Sequence, residues 1–506
     1  MTGFNCLLLV TSLPAATVTV NSLADSGPGS LREALNSSAA WDTIQVTAQG
    51  TLLLTTGLLE IPKSLTITGP GTNHLSLDGQ SKTPIFSVPP GVTATINDLT
   101  LTNGFSHFLQ TNVAGGAIRN FGSLTLNRCV VAKSNNREGL GGGIANSGSL
   151  TVNDCTFYGN GSPFLFGGAI ASLGTTASLT VNRSVIVGNF GTDGAGIYAE
   201  GTTLIRDCTI SSNVVDNGSA GISCSGTTTI IGSCIVRNST FHGLGAGIGA
   251  DGTFLLLSNC TVTGNSIFDN SGGGIWTRAA LTLIKSCTIT SNRCDLSEPS
   301  NQGGGLFISA GEVRCHNTII AGNSAPNGPD CSGTLISEGY NLIQDPSGCN
   351  ISGDTTGLLL NLDARLEPLQ NNGGPTLTHA LLPTSPALDA GSPTSFPSVD
   401  QRGFSRPRDA NNDCVPISDL GAVEIGDPCL PTLDSISLVP GNMIQLKMSG
   451  CSNGTYAIQA TPSLPASAWT TFATRVAGNT GSFEYQSAIP PTFPYRFFRV
   501  QKVCAP

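Results

Sequence analysis

The residues best placed to do chemistry are two carboxylates and an imidazole that recur at a regular spacing. Asp216, His242 and Asp269 each stand six positions before the aliphatic residue that follows a run of small residues, and they are 26 and 27 residues apart. If successive repeats stack as β-strands, the three side chains would lie about 5 Å apart. We therefore predict a small sugar- or metal-binding site at a loop edge. Solvated loop residues are the alternative, because the loop lengths vary.

Catalysis on polysaccharides would demand more than this set. A glycoside hydrolase needs two carboxylates at a defined separation, and a lyase needs a base, usually with acids that bind a cation. The repeats are poor in acids, and they contain neither an Asp-x-Asp pair nor the paired cysteines of a zinc site. We therefore predict no catalytic residue, no resident metal and no cofactor from the sequence.

Aromatic residues in the variable loops offer a second kind of surface. They could form an exposed strip, which would mark a binding site, or they could pack under the loops. The sequence is compatible with both arrangements. The residues concerned are Phe105, Phe108, Phe164, Phe166, Phe190, Phe241 and Phe268.

These residues are carried by a repeat. Runs such as Gly141–Ile144 and Gly167–Ile170 occur eight times between Gly115 and Asn323, with 25 to 31 residues between successive aliphatic positions. Such a period indicates a solenoid or a propeller, and short stretches of period-2 alternation indicate strands. About 25 residues are too few for a four-stranded propeller blade. We predict an all-β fold, a parallel β-helix with coils of about 25–27 residues.

Three further columns recur once per coil and favour a scaffold role. A cysteine column predicts an inward ladder of thiols, an alternating charge column predicts exposed ion pairs at a corner, and an asparagine column predicts an amide stack. The cysteines are Cys129, Cys155, Cys208, Cys234, Cys260, Cys287 and Cys315, with Ser184 replacing one of them. The charges are Arg128, Asp154, Arg183 and Asp207, and the asparagines are Asn135, Asn160, Asn189, Asn213 and Asn265.

Composition points to an exported protein that does not bind nucleic acid. Charged residues make up 11% of the 506-residue chain, the net charge is −9, and there is no basic stripe. No apolar run reaches the length of a transmembrane helix, while residues 1–16 resemble the end of a secretory signal. Near pairs of cysteines outside the repeats predict disulfides: Cys331 with Cys349, Cys414 with Cys429, and Cys451 with Cys504.

The N-terminal part contains a helix signal and resembles a known family. Ser30 and Glu33 form a capping box, so we predict a short helix over residues 30–40 that covers the end of the β-helix. The segment from Asp25 to Ala34 resembles the CSLREA-type motif of secreted bacterial β-helix proteins, with Gly29 where that motif has cysteine. The coils that follow also resemble the repeats of polymorphic outer-membrane proteins.

The C-terminal part resembles a second module. Five ordered motifs, from Asn341-Leu342-Ile343 to Gly421-Ala422-Val423-Glu424, are similar to the choice-of-anchor Q segment that closes many bacterial surface β-helices. Residues 432–506 then predict a small β-sandwich, because they contain strand patterns without a helical stretch. The predicted divisions are a leader (1–16), cap and opening coils (17–114), regular repeats (115–323), a closing segment (324–428) and the sandwich (432–506).

The resemblance implies a right-handed β-helix that is secreted or displayed at the cell surface. The scaffold columns favour a non-catalytic role in adhesion or in binding a glycan or other surface component. A polysaccharide lyase or glycoside hydrolase of the pectate-lyase-like type is the alternative, because related β-helices carry such activities and a fold does not determine function. A face smooth in Ser, Thr and Asn with an aromatic edge would favour binding.

Overall fold

The computed structural model describes residues 15–106, 115–410, 415–426, 431–441, 443–450, 454–464, 468–488 and 497–503. From Thr17 to Leu360 the chain winds as a parallel β-helix, in which each strand pairs with the equivalent strand of the next coil. A regular coil contributes one strand to each of four faces, which we call face 1 to face 4 in chain order. The predicted all-β parallel solenoid is confirmed.

Faces 1 and 4 belong to one 24-stranded sheet, since the strand Cys331–Glu338 pairs on both. The strands of face 1 are Thr17–Val20, Thr43–Val46, Leu65–Thr68, Thr93–Asn97, Ser123–Asn127, Ser149–Asn153, Ser178–Asn182, Thr202–Arg206, Thr227–Ile231, Phe254–Ser258, Leu281–Lys285, Glu312–His316, Cys331–Glu338 and Cys349–Asp354. Those of face 4 are Leu59–Glu60, Phe86–Val88, Ile118–Asn120, Ile144–Asn146, Ile170–Ser172, Ile197–Ala199, Ile222–Cys224, Ile248–Ala250, Ile275–Thr277 and Leu306–Ile308.

Faces 2 and 3 form sheets of 13 and 8 strands. The strands of face 2 are Gly50–Leu53, Leu75–Asp78, Thr100–Thr102, Val130–Ala132, Thr156–Tyr158, Val185–Val187, Thr209–Ser211, Cys234–Val236, Thr261–Thr263, Thr288–Thr290, Ile319–Ala321, Leu342–Ile343 and Leu359–Leu360. Those of face 3 are Phe105–Ser106, Asn135–Asn136, Gly161–Phe166, Phe190–Asp193, Val214–Val215, Ser239–Thr240, Ser266–Ile267 and Arg293–Cys294.

The corner between faces 1 and 2 explains the predicted charge column. One residue per coil has a positive φ there, which lets the chain turn sharply; φ is 51° at Arg128 and 45° at Arg183. Arg128 makes a two-pronged ion pair with Asp98, and Arg183 makes one with Asp154. Exposed pairs of this kind contribute only about 0–1 kcal/mol each, so they chiefly favour the correct stacking of coils.

The interior ladder of thiols forms, but two predicted members lie elsewhere. The Cys129 amide donates to the Cys155 Sγ atom, and the Cys208 amide donates to the Ser233 hydroxyl. Ser233 therefore occupies the next equivalent position after Cys208. Cys234 belongs to the following strand and is buried on its outer side, while Cys315 lies on face 1, paired in register with Ile284. The nine described cysteines outside the disulfide are all buried. The small side chain at this position, rather than sulfur itself, is what repeats.

The asparagine stack also forms, with Ser134 in the place predicted for Asn135. Each buried side-chain amide donates to the carbonyl oxygen of the next, at 2.9–3.0 Å, and the last donates to Asp330 at 2.8 Å. Each stacked carbonyl oxygen also accepts a backbone N–H of the coil before it. The stack comprises Asn160, Asn189, Asn213, Asn238, Asn265, Asn292 and Asn323.

The predicted N-terminal helix spans Leu31–Ser37, and Ser30 caps it by accepting the Glu33 amide at 3.2 Å. Its buried residues Leu31, Ala34 and Leu35 join the core of the first coils. Residues before Ala15, which include most of the predicted leader, lie outside the described residues.

The predicted closing segment has two parts, of which the first, up to the strand Leu359–Leu360, continues the solenoid. Residues 364–410 and 415–426, here called the lateral segment, lie along the outer side of face 2 instead. Its hydrogen bonds to the coils join Thr376 to Gly232, Val399 to Asn259, Gln401 to Thr261, His379 to Thr263, and Ala422 to Thr288. The outward residues of the face 2 strands Thr261–Thr263 and Thr288–Thr290 are therefore buried.

The remaining C-terminal elements agree with the predictions that can be checked. The Cys331–Cys349 disulfide forms, with its Cα atoms 5.2 Å apart; the other two predicted pairs lie outside the described residues. The C-terminal module consists of two three-stranded antiparallel sheets. One contains Thr432–Val439, Met443–Ser449 and Ser482–Ala488, and the other contains Thr470–Val476, Thr455–Thr461 and Phe497–Lys502.

Candidate functional site

Face 3 carries a run of exposed aromatic rings. Phe164, Phe190, Phe241 and Phe268 are between 40% and 64% exposed, although large apolar side chains are normally buried. Phe166 instead stacks on Tyr198, with ring centroids 4.8 Å apart. Of the other predicted members, Phe105 is half-buried and Phe108 lies outside the described residues. We call the four exposed rings the aromatic strip.

The backbone ladder places two of these rings directly beside each other. Phe241 donates to the carbonyl of Val215, and Phe268 donates to that of Thr240. In a parallel ladder these bonds put Asp216, Phe241, Phe268 and Asp295 in one row along the solenoid axis, about 4.8 Å apart. Two exposed rings are thus bracketed by two carboxylates.

The structure brings together two of the three predicted site residues. The His242 Nδ1 and Asp269 Oδ2 atoms are 3.4 Å apart, and both side chains are about half exposed. Asp216 does not belong to the row that contains His242 and Asp269. The ladder places Asp216 opposite Phe241, whereas His242 lies opposite Asn217. The segment from Val215 to Ile222 is one residue shorter than the equivalent segments of the next two coils. Counting six residues back from Ile222 therefore gives Asp216 instead of Asn217, which is the residue in register with His242.

The carboxylate at the far end of the row is held in its ionised form. The Ser297 amide donates to Asp295 Oδ1 at 2.9 Å and is the main reason that the pKa of Asp295 is lowered. Arg293, on the same strand end, is 3.9 Å from that carboxylate. Rings flanked by polar groups of this kind resemble the polar rim of a binding patch.

A close approach fixes the ring of Phe190. A Cβ added to Gly161 of the preceding coil would lie 2.1 Å from the Phe190 Cζ atom, so the ring covers bare backbone there. The two residues pair in register immediately before an irregularity in the strand that ends at Phe166. One side of the Phe190 ring therefore packs against the backbone of the preceding coil, and the rest of the ring is exposed.

The half-buried carboxylate of Asp193 is structural. Asp193 ends a face 3 strand, and it accepts the Ser219 amide at 2.7 Å and the Ser223 hydroxyl at 2.9 Å. Burial raises the pKa of Asp193. Across the described part of the chain, no cluster of three or more His, Cys, Asp or Glu side chains could hold a metal ion. The face presents rings, isolated carboxylates and one imidazole–carboxylate pair.

Face 1 carries a second regular surface, which was not predicted from the sequence. Its strands Ser123–Asn127, Ser149–Asn153 and Ser178–Asn182 pair in register, so that Ser, Thr and Asn columns point outward while Leu and Val point inward. The recurring Ser-Leu-Thr-x-Asn pattern could have revealed it. This polar surface and the aromatic strip lie on different faces of the coil.

Among the described residues, no helix is long and apolar enough to span a membrane.

Comparisons with known proteins identify the fold. Residues 193–371 match the family model described as "Right handed beta helix region", whereas no curated protein matches the chain. The crystal structure of tailspike protein 3 of bacteriophage CBA120 aligns with 64% of this chain at 12% identity and a TM-score of 0.36. The chain spans 56% of the length of that tailspike protein. The match over residues 193–371 agrees with the strand pairings described above and shows a right-handed parallel β-helix fold for this part of the chain.

Proposed function

We propose that this is a secreted or cell-surface protein that binds a glycan or another surface component along face 3 without cleaving it. The observation that supports this most is the adjacency of Phe241 and Phe268, which are 53% and 52% exposed on neighbouring coils. Apolar surface that is exposed, contiguous and rimmed by polar groups marks a binding site.

The scaffold suits such a role because the rings are already in place. Strand ladders on both sides hold the backbone of face 3, so little conformational entropy is lost on binding. Burial of a whole Phe side chain stabilises by roughly 1.5–3 kcal/mol. Covering the exposed halves of two rings would therefore supply about 2 kcal/mol, and the carboxylates and His242 would orient polar groups of the ligand.

The exported location rests on sequence resemblance. The CSLREA-like segment from Asp25 to Ala34 and the choice-of-anchor Q-like motifs between Asn341 and Glu424 are found on secreted bacterial β-helices. We propose that residues 324–428 and 432–506 are modules of that kind, and that residues 1–16 are the remnant of a leader. Detection of the native protein in the cell-surface or medium fraction would test this location.

A glycan array tests the binding function directly. The wild-type chain is expected to retain selected glycans, and Phe241→Ala with Phe268→Ala is expected to weaken retention about 30-fold, which corresponds to about 2 kcal/mol. Trp41→Ala is the matched control, because Trp41 is 65% exposed but lies outside face 3. Equal retention by the wild type and the double variant would remove face 3 from consideration.

Polysaccharide cleavage is the second candidate function, supported by the His242–Asp269 pair. Reducing-sugar and unsaturated-product assays on a panel of polysaccharides distinguish hydrolysis and elimination from binding alone. We expect no turnover. Turnover that disappears in Asp216→Asn or Asp269→Asn, while glycan retention persists, would establish an enzyme instead.

A further inference from the structure

Seven consecutive coils place a threonine at the same position of face 1. Register pairings connect each one to the next without interruption. The column ends where Leu204 takes the position after Thr180. We call this column the threonine array, and its members are Thr17, Thr43, Thr66, Thr95, Thr125, Thr151 and Thr180.

The array is regular in two directions. Along the solenoid axis its members repeat about every 4.8 Å, so seven residues extend over roughly 29 Å. Across the strand, outward neighbours are about 6.6 Å away. A serine column lies on one side, and an asparagine column lies on the other. The outward residues of the three strands from Ser123 to Asn182 carry no charge.

The side chains of the asparagine column bond to one another, but the central threonine hydroxyls have no such partner. Asn127 donates to Asn97 at 2.8 Å, Asn153 donates to Asn127 at 2.8 Å, and Asn182 donates to Asn153 at 2.9 Å. No hydrogen bond within the described residues engages the side-chain hydroxyls of Thr95, Thr125, Thr151 or Thr180, which remain partly exposed. Strand propensity explains a threonine at any one position, yet it does not explain why leucine replaces it only after the seventh coil.

The energetics restrict what such a surface can hold. A neutral hydrogen bond that replaces bonds to water changes affinity by only about fivefold. A small ligand that touches one or two hydroxyls would gain too little to remain bound, whereas a long repeating ligand would gain from every coil. The absence of charge on these strands disfavours anionic polymers, because nothing there would offset the loss of their hydration.

We propose that the threonine array binds an extended neutral polysaccharide, aligned with the solenoid axis, on the surface of an insoluble polymer. One sugar unit advances such a chain by about the distance that one coil advances the β-helix. In a β-1,4-linked chain alternate sugar units face the same way, so the same sugar hydroxyls meet every second threonine in the same geometry. The array is a site separate from the aromatic strip, and it does not depend on the function proposed for face 3.

Depletion from suspensions of microcrystalline cellulose and of chitin tests the proposal with the full chain. The wild type is expected to bind at least one of these polymers, while Thr95→Val, Thr125→Val and Thr151→Val together are expected to weaken that binding about 100-fold. Valine keeps the shape and favours strands, so the fold should be retained. Circular dichroism of the triple variant verifies this.

Two matched variants assign any loss to the hydroxyls. Replacement of the same three threonines by serine keeps the hydroxyls and should retain binding within a few-fold. Thr156→Val with Thr209→Val changes outward threonines of face 2 and should have no effect. Failure of the wild type to bind both polymers, equal binding by the valine variant, or stronger binding to soluble pectate would each overturn the proposal. Phe241→Ala with Phe268→Ala should leave this binding unchanged, which separates it from face 3.

Discussion

At the scale of single residues, the asparagine stack shows how a coil corner is held. Asn213 uses every polar atom of its side chain: it donates to Asn238 and to the Ile186 carbonyl, and it accepts the amide and the side chain of Asn189. All of these groups are buried. A buried donor left without a partner costs about 1–3 kcal/mol, so the stack contributes through the bonds that would otherwise be lost.

Asn213→Ala should therefore lower the free energy of unfolding by about 3 kcal/mol, because it leaves several buried groups unsatisfied. Thermal and urea unfolding followed by circular dichroism would measure the change. Asn182→Ala provides the control, since Asn182 bonds its neighbour on a partly exposed face, and its loss should cost less than about 1 kcal/mol. Equal losses in the two variants would show that burial of the stack is unimportant.

The kinds of residue that form the columns were predictable from the sequence, but the exact register of single residues was not. The inward thiol ladder was predicted, but Cys234 was assigned to a position that Ser233 fills, because spacing alone does not say on which side of a corner a residue lies. Asp216 was misplaced for a similar reason, since one missing loop residue moves it by a row. Register is set by hydrogen bonds between distant coils, and these are not visible in local spacing.

At the scale of elements, the N-terminal cap depends on one buried carboxylate. Asp25 accepts the backbone amides and the hydroxyls of Thr55 and Thr56, and it pairs with Arg32 on the capping helix. Burial alone would raise the pKa of Asp25, but the bonds from Thr56, Arg32 and Thr55 outweigh burial and hold the pKa well below its usual range. The ionised form therefore ties the helix to the opening coils.

The cap should consequently loosen in acid. Because the folded-state pKa of Asp25 is depressed, its contribution is present above the unfolded pKa of about 3.9 and is lost as the pH falls below that value. The protection of residues 31–37 against hydrogen exchange, taken relative to the intrinsic exchange rate at each pH, should be lower at pH 3 than at pH 7 in the wild type. Asp25→Asn should exchange faster at pH 7 and change less with pH, whereas Glu60→Gln, at an exposed site, should behave as the wild type does.

A buried ion pair stabilises the lateral segment. Arg406 and Glu424 are fully buried and lie 2.9 Å apart, and Arg406 also donates to the carbonyl oxygens of Asp419 and Gly421. Removing one member of a buried pair leaves the other charge without compensation, at a cost of about 3–5 kcal/mol. The sequence predicted a closing segment here, but its motifs gave no indication that it would lie along face 2 rather than across the end.

Arg406→Ala should release the lateral segment while the coils stay folded. Limited proteolysis with mass spectrometry should detect new cleavage between residues 364 and 426, with little change in the far-ultraviolet circular dichroism. Arg365→Ala, which removes a bond from an exposed arginine to the Thr384 carbonyl, should not change the cleavage pattern. Simultaneous loss of the β-helix signal would show instead that the coils depend on this segment.

At the scale of the whole molecule, each coil contacts chiefly the coils before and after it. Stability should then approximate a sum of coil and interface contributions, as in other solenoids. The repeat itself predicted this architecture, since a period of about 26 residues leaves few alternatives. The pairing of side-chain columns from the first coil onward could not be predicted, because the opening coils lack the glycine pattern that marks the later ones.

Removal of one complete coil should therefore be tolerated. Deletion of residues 156–184 joins Cys155 to Val185, which pairs with Thr156 in the intact chain, and should yield a folded protein about 4.8 Å shorter. Small-angle scattering and thermal unfolding would measure the length and the stability. Deletion of only residues 156–169 should prevent folding of the coils beyond it, because every later strand would meet the wrong face.

The unequal connections between faces 3 and 4 have a consequence for how such a chain diversifies. The segment after Val215 is one residue shorter than those of the next two coils, and the one after Cys294 is several residues longer. Ile222 and Leu306 nevertheless keep their pairings with the adjacent coils. Length changes at this edge are absorbed locally and do not propagate. A loop at this edge can therefore change in length or sequence in one coil without disturbing the register of the others.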